Sequence, residues 1–256
     1  MSQTADDALP GIRRITVNDL AMALRAGWAD FKAAPTQVIF LCLIYPIVGF
    51  ILASAASGSA ILPLVWPLLA GFALVGPLAA LGIYELSRRR EAGLSTTWTD
   101  MFGVLRSPAI VSIALLGVGL LLILALWLGT ACGLYFAMMG SAPPSGPMAM
   151  LDDITQSGQG LALILVGNLV GAAFATLVLA ASVISFPMLL DRDVTASVAV
   201  RTSWAAFRAN PMVLLVWGTI VAVLLALGMA ALFVGLAVVL PVLGHATWHL
   251  YRRLVL

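Results

Sequence analysis

The sequence predicts an all-α polytopic membrane protein, a bundle of six transmembrane helices, and two observations lead to this prediction. Hydrophobic residues make up 62% of the 256 residues and charged residues only 9%, whereas about a quarter of the residues in soluble domains are charged. The thirteen Lys and Arg residues fall in four patches, at residues 13–32, 88–106, 192–208 and 252–253. Because a charged side chain at the centre of a bilayer costs roughly 2.5 to 3.5 kcal/mol, the apolar stretches between the patches are predicted to contain the spans.

Six spans fit these stretches, since one span needs about 20 apolar residues. The stretches are residues 36–84, 107–151, 154–190 and 209–251. The first and the last are long enough for two helices each, and the two middle ones supply one helix each. Small or turn-forming residues mark the predicted outside loops, at 53–60, 140–147 and 228–235.

The basic patches predict which side of the membrane each loop faces. Cytoplasmic loops collect Lys and Arg, so all four patches and both termini are predicted to be cytoplasmic. The predicted outside loops contain neither residue, and Asp152 and Asp153 are expected to lie there as a solvated pair. We expect a multi-pass protein of a bacterial inner membrane. Reporter fusions are predicted to be periplasmic at Ser57, Ser145 and Gly228, and cytoplasmic at Gly93 and Ser197.

An internal repeat divides the apolar part of the chain. Residues 25–35 read RAGWADFKAAP and residues 201–211 read RTSWAAFRANP, which are identical at six of eleven positions. A second set of matches closes each unit and pairs Pro77, Tyr84, Leu86, Arg88 and Arg89 with Pro241, Trp248, Leu250, Arg252 and Arg253. A weaker copy in the middle begins with Trp98, Phe102, Arg106 and Pro108 and ends at Pro187.

These copies predict three units of about residues 16–90, 94–193 and 194–253, each an amphipathic helix followed by a two-helix hairpin. An even number of spans gives every unit the same orientation, so the units are parallel pseudo-repeats related by an axis along the membrane normal. They are predicted to form a single membrane domain, residues 13–256, after a disordered cytoplasmic tail at residues 1–12.

The amphipathic segments carry the first candidate site. In the first segment, Leu20, Leu24, Trp28 and Phe31 recur every three or four residues and form an apolar face, while basic residues lie on or near the other side. This pattern is typical of a helix in the membrane interface. The candidate collar for lipid or a partner protein consists of Arg25, Trp28, Lys32, Arg201, Trp204 and Arg208. Two interpretations remain open: the collar only anchors the bundle, or it senses anionic lipid or docks a protein.

Two histidines and one asparagine are the other candidates. His245 and His249 have the spacing of two ligands to one metal ion or a haem edge. The sequence supplies no third ligand near them, so an interfacial polar pair is favoured, and no metal or cofactor is predicted. Asn168 is the clearest strongly polar side chain in mid-span and either packs against another helix or contacts a substrate. Cys42 and Cys132 are predicted to be free thiols.

The sequence disfavours ion coupling and catalysis. No Asp, Glu, Lys or Arg lies well inside a predicted span, whereas proton relays normally require such groups. Glu85 and Glu91 are predicted to form helix-end ion pairs with the arginines at 88–90. The protein is therefore not expected to be an enzyme, and nothing indicates a nucleic-acid partner.

The run LPGIRRI at residues 9–15, the residues Ala26-Gly27-Trp28 with Phe31, and the run FPMLLDRD at 186–193 together resemble a bacterial family of six-span inner-membrane proteins, domain of unknown function 2189. The resemblance implies the membrane location and the topology, and it brings no catalytic residues. We therefore expect a non-enzymatic accessory or scaffold protein that binds lipid or membrane partners. The alternative is a channel or uncoupled carrier for a small neutral or lipophilic solute, with its path at the repeat axis near Asn168.

Overall fold

The computed structural model of the protein describes residues 9–33, 62–141, 144–231 and 233–256, and most of these residues are helical, with no strand among them. The predicted first span, its loop at 53–60, Cys42 and Ser57 lie outside the described residues. The α-helices are α1 Val17–Ala33, α2 Val65–Phe72, α3 Gly76–Ala79, α4 Leu81–Glu91, α5 Ile110–Met139, α6 Pro147–Gln156, α7 Gly158–Ser182, α8 Ser185–Asp191, α9 Ala196–Ala209, α10 Pro211–Ala230 and α11 Leu236–Leu254. The middle amphipathic segment, Trp98–Arg106, is a 3-10 helix.

Four helical segments of the described part are long and apolar enough to cross a membrane. They are Val65–Glu91, Ile110–Met139, Gly158–Asp191 and Pro211–Ala230, and they coincide with the second to fifth predicted spans. Helix α11, the predicted sixth span, has 19 residues but is not among the four, because its second half carries two histidines and two arginines.

Two sets of helices, defined by their order in the predicted units, pack against each other. The entry segments are α1, Trp98–Arg106 and α9; the exit helices are α4, α8 and α11. Each entry segment packs on one exit helix: α1 on α11, Trp98–Arg106 on α4, and α9 on α8. The exit helices also contact one another, and their side chains Phe186, Met188, Trp248 and Leu250 are at most 1% exposed. The core therefore lies where the exit helices meet, and the first and last described helices are neighbours.

The contact between α1 and α11 is close and has an ion pair at one end. A Cβ atom on Gly27 would lie 2.5 Å from the backbone nitrogen of Ala246, so only glycine permits this approach of the two backbones. At the start of α1, the backbone N–H and the hydroxyl of Thr16 both donate to Asp19 Oδ2 at 2.8 Å. The other oxygen of Asp19 lies 3.1 Å from Arg253 Nη1 on α11.

The same arrangement recurs where Trp98–Arg106 follows α4. Thr97 donates from its backbone and its hydroxyl to Asp100, at 2.7 and 2.8 Å, and Arg89 Nη2 of α4 lies 3.1 Å from Asp100 Oδ1. The third entry segment keeps the capping threonine, Thr195, which accepts from the backbone N–H of Val198. This segment has no acid at the matching position, and the repeat remains a prediction.

Two predictions about irregular structure are wrong. The disordered tail does not reach residue 12, because Ile12 forms a β-bridge with Val255 and its neighbour Arg13 donates its backbone N–H to Leu254 O at 2.8 Å. Asp152 and Asp153 are exposed, as expected, but they lie on helix α6 and not in a loop. Pro147 in the first turn of α6 explains this helix, since its fixed φ suits that position.

Candidate functional site

Helix α1 has two faces with different environments. Its buried residues are Leu20, Ala23, Gly27, Asp30 and Phe31, and these face α11, the helix on which α1 packs. Arg25, Trp28 and Lys32 are exposed; they lie three or four residues apart and therefore share the opposite face. Packing of the inner face orients the outer face, which carries the three predicted collar residues of this helix.

Helix α9 repeats this division. Its buried residues are Val198, Ala199, Thr202, Ser203 and Ala206. Arg201 and Arg208 are exposed and Trp204 is half-buried. The side chains that match between the two segments of the predicted repeat thus occupy matching faces, and all six predicted collar residues lie on an outer face.

An aromatic pair accompanies the basic residues on every entry segment. The ring centroids are 5.5 Å apart in Trp28–Phe31, 6.2 Å in Trp98–Phe102 and 6.5 Å in Trp204–Phe207. Trp28, Trp98 and Phe102 are 44%, 58% and 53% exposed. Exposed Trp beside Arg or Lys is the composition of a membrane–water interface.

The basic residues divide into two classes. Six form ion pairs with carboxylates: Arg88, Arg89, Arg90, Arg192, Arg252 and Arg253. Seven are exposed and have no acidic partner within the part of the chain that the structure describes: Arg13, Arg14, Arg25, Lys32, Arg106, Arg201 and Arg208. The second class lies on or beside the entry segments. Its positive charge is available to an anion from outside the protein.

Behind α1 lies a polar group that the sequence did not predict, the Asp30 cluster of Asp30, Ser87, Arg90, His245 and His249, in which Asp30, Ser87 and His245 are buried. One carboxylate oxygen of Asp30 lies 2.8 Å from His249 Nε2 and accepts from Ser87 Oγ at 2.9 Å. The other oxygen lies 2.9 Å from Arg90 Nε. Ser87 Oγ is also 2.7 Å from His245 Nδ1. The cluster joins α1 to both α4 and α11.

The electrostatics of Asp30 fit a carboxylate that is held in its charged form. Burial, at 9% exposure, raises its pKa. The hydrogen bond and positive charge of His249, the charge of His245 and the bond from Ser87 lower it further than burial raises it, so the pKa lies below the ordinary value of aspartate. The cluster therefore behaves as a fixed polar contact between three helices.

A comparison of the two copies of the predicted repeat contains a signal that could have indicated this cluster. Asp30 occupies the position at which the second copy has Ala206, so a charge replaces a small apolar residue on the inner face of an amphipathic helix. A partner for that charge could have been sought among His245 and His249, which the sequence left as an interfacial polar pair. The carboxylate that contacts His249 belongs to Asp30 on α1, and the two residues are 219 positions apart in the sequence.

A second polar network joins the ends of the exit helices. Arg252 Nε lies 3.0 Å from Glu91 Oε1 and its Nη1 lies 3.2 Å from Asp191 Oδ2. Trp248 Nε1 donates to Glu91 at 2.8 Å, and the hydroxyl of Tyr251 donates to Asp191. The ion pair predicted between Glu85 and the arginines at 88–90 is confirmed by Arg88 at 2.8 Å, but Glu91 binds Arg252 on another helix.

The remaining candidates are isolated. Asn168 is exposed on α7 and its amide donates to Ile164 O at 2.7 Å, whereas a position where the exit helices meet would be buried. Cys132 is a free thiol. No group of three or more His, Cys, Asp or Glu residues with the geometry of a metal site occurs in the described ranges.

Comparison with known proteins gives one match. The family model described as "Predicted integral membrane protein (DUF2189)" matches residues 65–191, from the start of α2 to the end of α8. No curated protein and no solved structure matches the chain.

Proposed function

Because this chain belongs to the family of predicted integral membrane proteins that the matching model describes, we propose that it is a non-enzymatic accessory protein of a bacterial inner membrane that binds anionic lipid through its collar. The basic residues of the collar, Arg25, Lys32, Arg201 and Arg208, belong to the seven exposed cations that have no carboxylate partner among the described residues. The proposal includes six spans in three parallel units, with the collar and both termini in the cytoplasm. The single observation that carries it is the exposure of seven cations without a carboxylate partner among the described residues.

The energetics favour a lipid surface as the partner. A basic residue close to an anionic leaflet contributes about 1 kcal/mol to the interaction with the membrane. The seven basic residues without a carboxylate partner in the described ranges therefore contribute several kcal/mol together. Arginines that already pair with carboxylates contribute less, because the anion of the protein neutralises them. The unpaired class is spread over three separate entry segments, which suits a leaflet that surrounds the bundle better than a compact protein partner.

The decisive experiment measures lipid selectivity. The wild type and a variant with Arg25→Gln, Lys32→Gln, Arg201→Gln and Arg208→Gln are placed in nanodiscs of equal phosphatidylglycerol and phosphatidylcholine, and the lipids retained on release are counted by native mass spectrometry. Four lost contacts of about 1 kcal/mol each predict at least a tenfold fall in phosphatidylglycerol enrichment, since 1.4 kcal/mol is tenfold. A variant with lysine at the three arginine positions keeps the charge and should keep the enrichment.

Equal enrichment of phosphatidylglycerol in the glutamine variant and the wild type would show that the collar only anchors the bundle. The alternative of a channel or uncoupled carrier has no supporting observation in the described residues: the Asn168 amide is satisfied by its own helix, and the side chains where the exit helices meet are buried.

A further inference from the structure

An open groove runs between α7 and α9 on the outer side of the bundle. Its lining residues are Ala172, Ala173, Thr176, Leu177, Ala180, Trp204 and Phe207. We propose that this groove binds one acyl chain of an anionic glycerophospholipid whose phosphate is held by Arg201 and Arg208. The inference rests on the proposed function and adds to it a defined site for a single lipid molecule.

The groove has the surface that an acyl chain requires. The side of α7 that lines it consists of small and aliphatic residues, and Ala180 at its base is 1% exposed. The hydroxyl of Thr176 donates to Ala172 O at 2.8 Å, so the α7 side of the lining offers no unsatisfied polar group that calls for a polar ligand. Residues 172 to 180 extend over about 12 Å at 1.5 Å per residue, and the groove has a volume of about 450 Å³.

The cations that flank the groove define the headgroup end. Arg201, Trp204 and Arg208 are three and four residues apart on α9 and share one face. Both arginines are exposed and have no acidic partner in the described chain. Guanidinium groups bind phosphate oxygens through paired hydrogen bonds, and basic pockets beside transmembrane helices on the cytoplasmic side bind anionic headgroups.

The indole of Trp204 connects the two ends of the site. Its ring lines the groove, and its N–H makes no hydrogen bond to any residue that the structure describes, unlike those of Trp127 and Trp248. Tryptophan with an apolar body and a free N–H suits the level of the ester carbonyls. Because α7 belongs to the candidate span Gly158–Asp191 while α9 is amphipathic, a chain along α7 and a phosphate over α9 match the depth profile of a phospholipid.

The test fills the groove without altering charge. Ala173→Phe occupies the lining, and Ala175→Phe, at an exposed α7 position that does not line the groove, is the matched control. By native mass spectrometry after extensive delipidation, we expect one phosphatidylglycerol molecule on the wild type and on Ala175→Phe, and at least a fivefold lower occupancy on Ala173→Phe and on Arg201→Gln/Arg208→Gln. Thermal unfolding checks that each variant is folded.

A second measurement does not depend on a substitution in the lining. Phosphatidylglycerol with brominated acyl chains should quench the fluorescence that the wild type has and Trp204→Phe lacks, and brominated phosphatidylcholine should quench it several times less. Equal quenching by both lipids, or equal occupancy in Ala173→Phe and Ala175→Phe, overturns the groove site. Dissociation of a dimer by Ala173→Phe overturns it in favour of a second copy. If Ala173→Phe loses the tightly held lipid but keeps the enrichment of phosphatidylglycerol in nanodiscs, the groove site is distinguished from the collar. If Ala173→Phe keeps both, the groove site is wrong and the collar proposal depends on its own test.

Discussion

Asp30→Asn is the substitution that most directly tests how the collar is held. Asparagine has nearly the same shape as aspartate but no charge, so it removes the anion that His249, Ser87 and Arg90 share. We expect α1 to be released more readily from α4 and α11 while the transmembrane helices stay in place. The outer face of α1 would then present Arg25 and Trp28 less rigidly.

The size of the effect follows from the three contacts. A hydrogen bond to a charged group contributes about 1.5 to 3 kcal/mol, which applies to the contacts of Asp30 with His249 and Ser87. The Arg90 side chain is 46% exposed, so its ion pair is screened by water and contributes less than about 1 kcal/mol. Asparagine keeps one acceptor oxygen and avoids the cost of burying a charge, and these gains offset part of the loss. We therefore expect a net destabilisation of about 2 to 3 kcal/mol.

Two assays measure this effect in detergent or nanodiscs. At roughly 2 to 4 °C per kcal/mol for a protein of this size, Asp30→Asn should lower the Tm by about 5 to 10 °C. Hydrogen exchange of residues 17–33 should accelerate by one to two orders of magnitude, since 1.4 kcal/mol is about tenfold. Asp193→Asn, at an exposed aspartate, should stay within about 0.5 kcal/mol of the wild type. An Asp30→Asn protein with wild-type Tm and wild-type exchange in α1 would show that the cluster does not hold this helix.

Three further predictions follow. Gly27→Ala should cost about 1 to 3 kcal/mol by overpacking against Ala246, whereas Gly129→Ala, which has open space in α5, should be neutral or stabilising by up to about 1 kcal/mol; thermal unfolding compares them, and equal effects would refute the close approach. Because the pKa of Asp30 is lowered in the folded protein, its contribution is present above the unfolded pKa of about 3.9 and is lost as pH falls through the folded pKa; the stability gap between the wild type and Asp30→Asn should therefore shrink as the pH falls below about 4. Reporter fusions test the topology, and a cytoplasmic signal at Ser145 contradicts it.

The parts of the fold that were predicted are those that local pattern determines. Long apolar runs gave the second to fifth spans, because a helix that crosses a bilayer needs about 20 apolar residues wherever its neighbours lie. The two faces of α1 and α9 followed from the spacing of their apolar residues in the same way. The sixth span, predicted at helix α11, stays a prediction, because the second half of this helix carries His245, His249 and two arginines.

The parts that were missed depend on partners far away in sequence or on capping. The Asp30 cluster needs residues from three helices, and no local pattern shows that Asp30 meets His249. Helix α6 was missed because a region rich in Gly and Pro predicts a loop, although Pro147 also fits the first turn of a helix. For Trp98–Arg106 the sequence correctly predicted a helical segment, but the spacing of its apolar residues did not show that the segment is a 3-10 helix.

The positions at which the predicted units differ acquire a physical reason from the packing. Two of the three contacts between an entry segment and an exit helix join elements that follow each other in the chain, so a short linker already keeps them together. The contact between α1 and α11 joins the two ends of the described chain and must be stabilised by its own side chains. It is there that Gly27, Asp30 and His249 occur, where the matching positions hold Ser203, Ala206 and Glu85. Three positions at which the predicted copies differ thus lie at the one contact that the chain does not connect, and two of them, Asp30 and His249, belong to the Asp30 cluster.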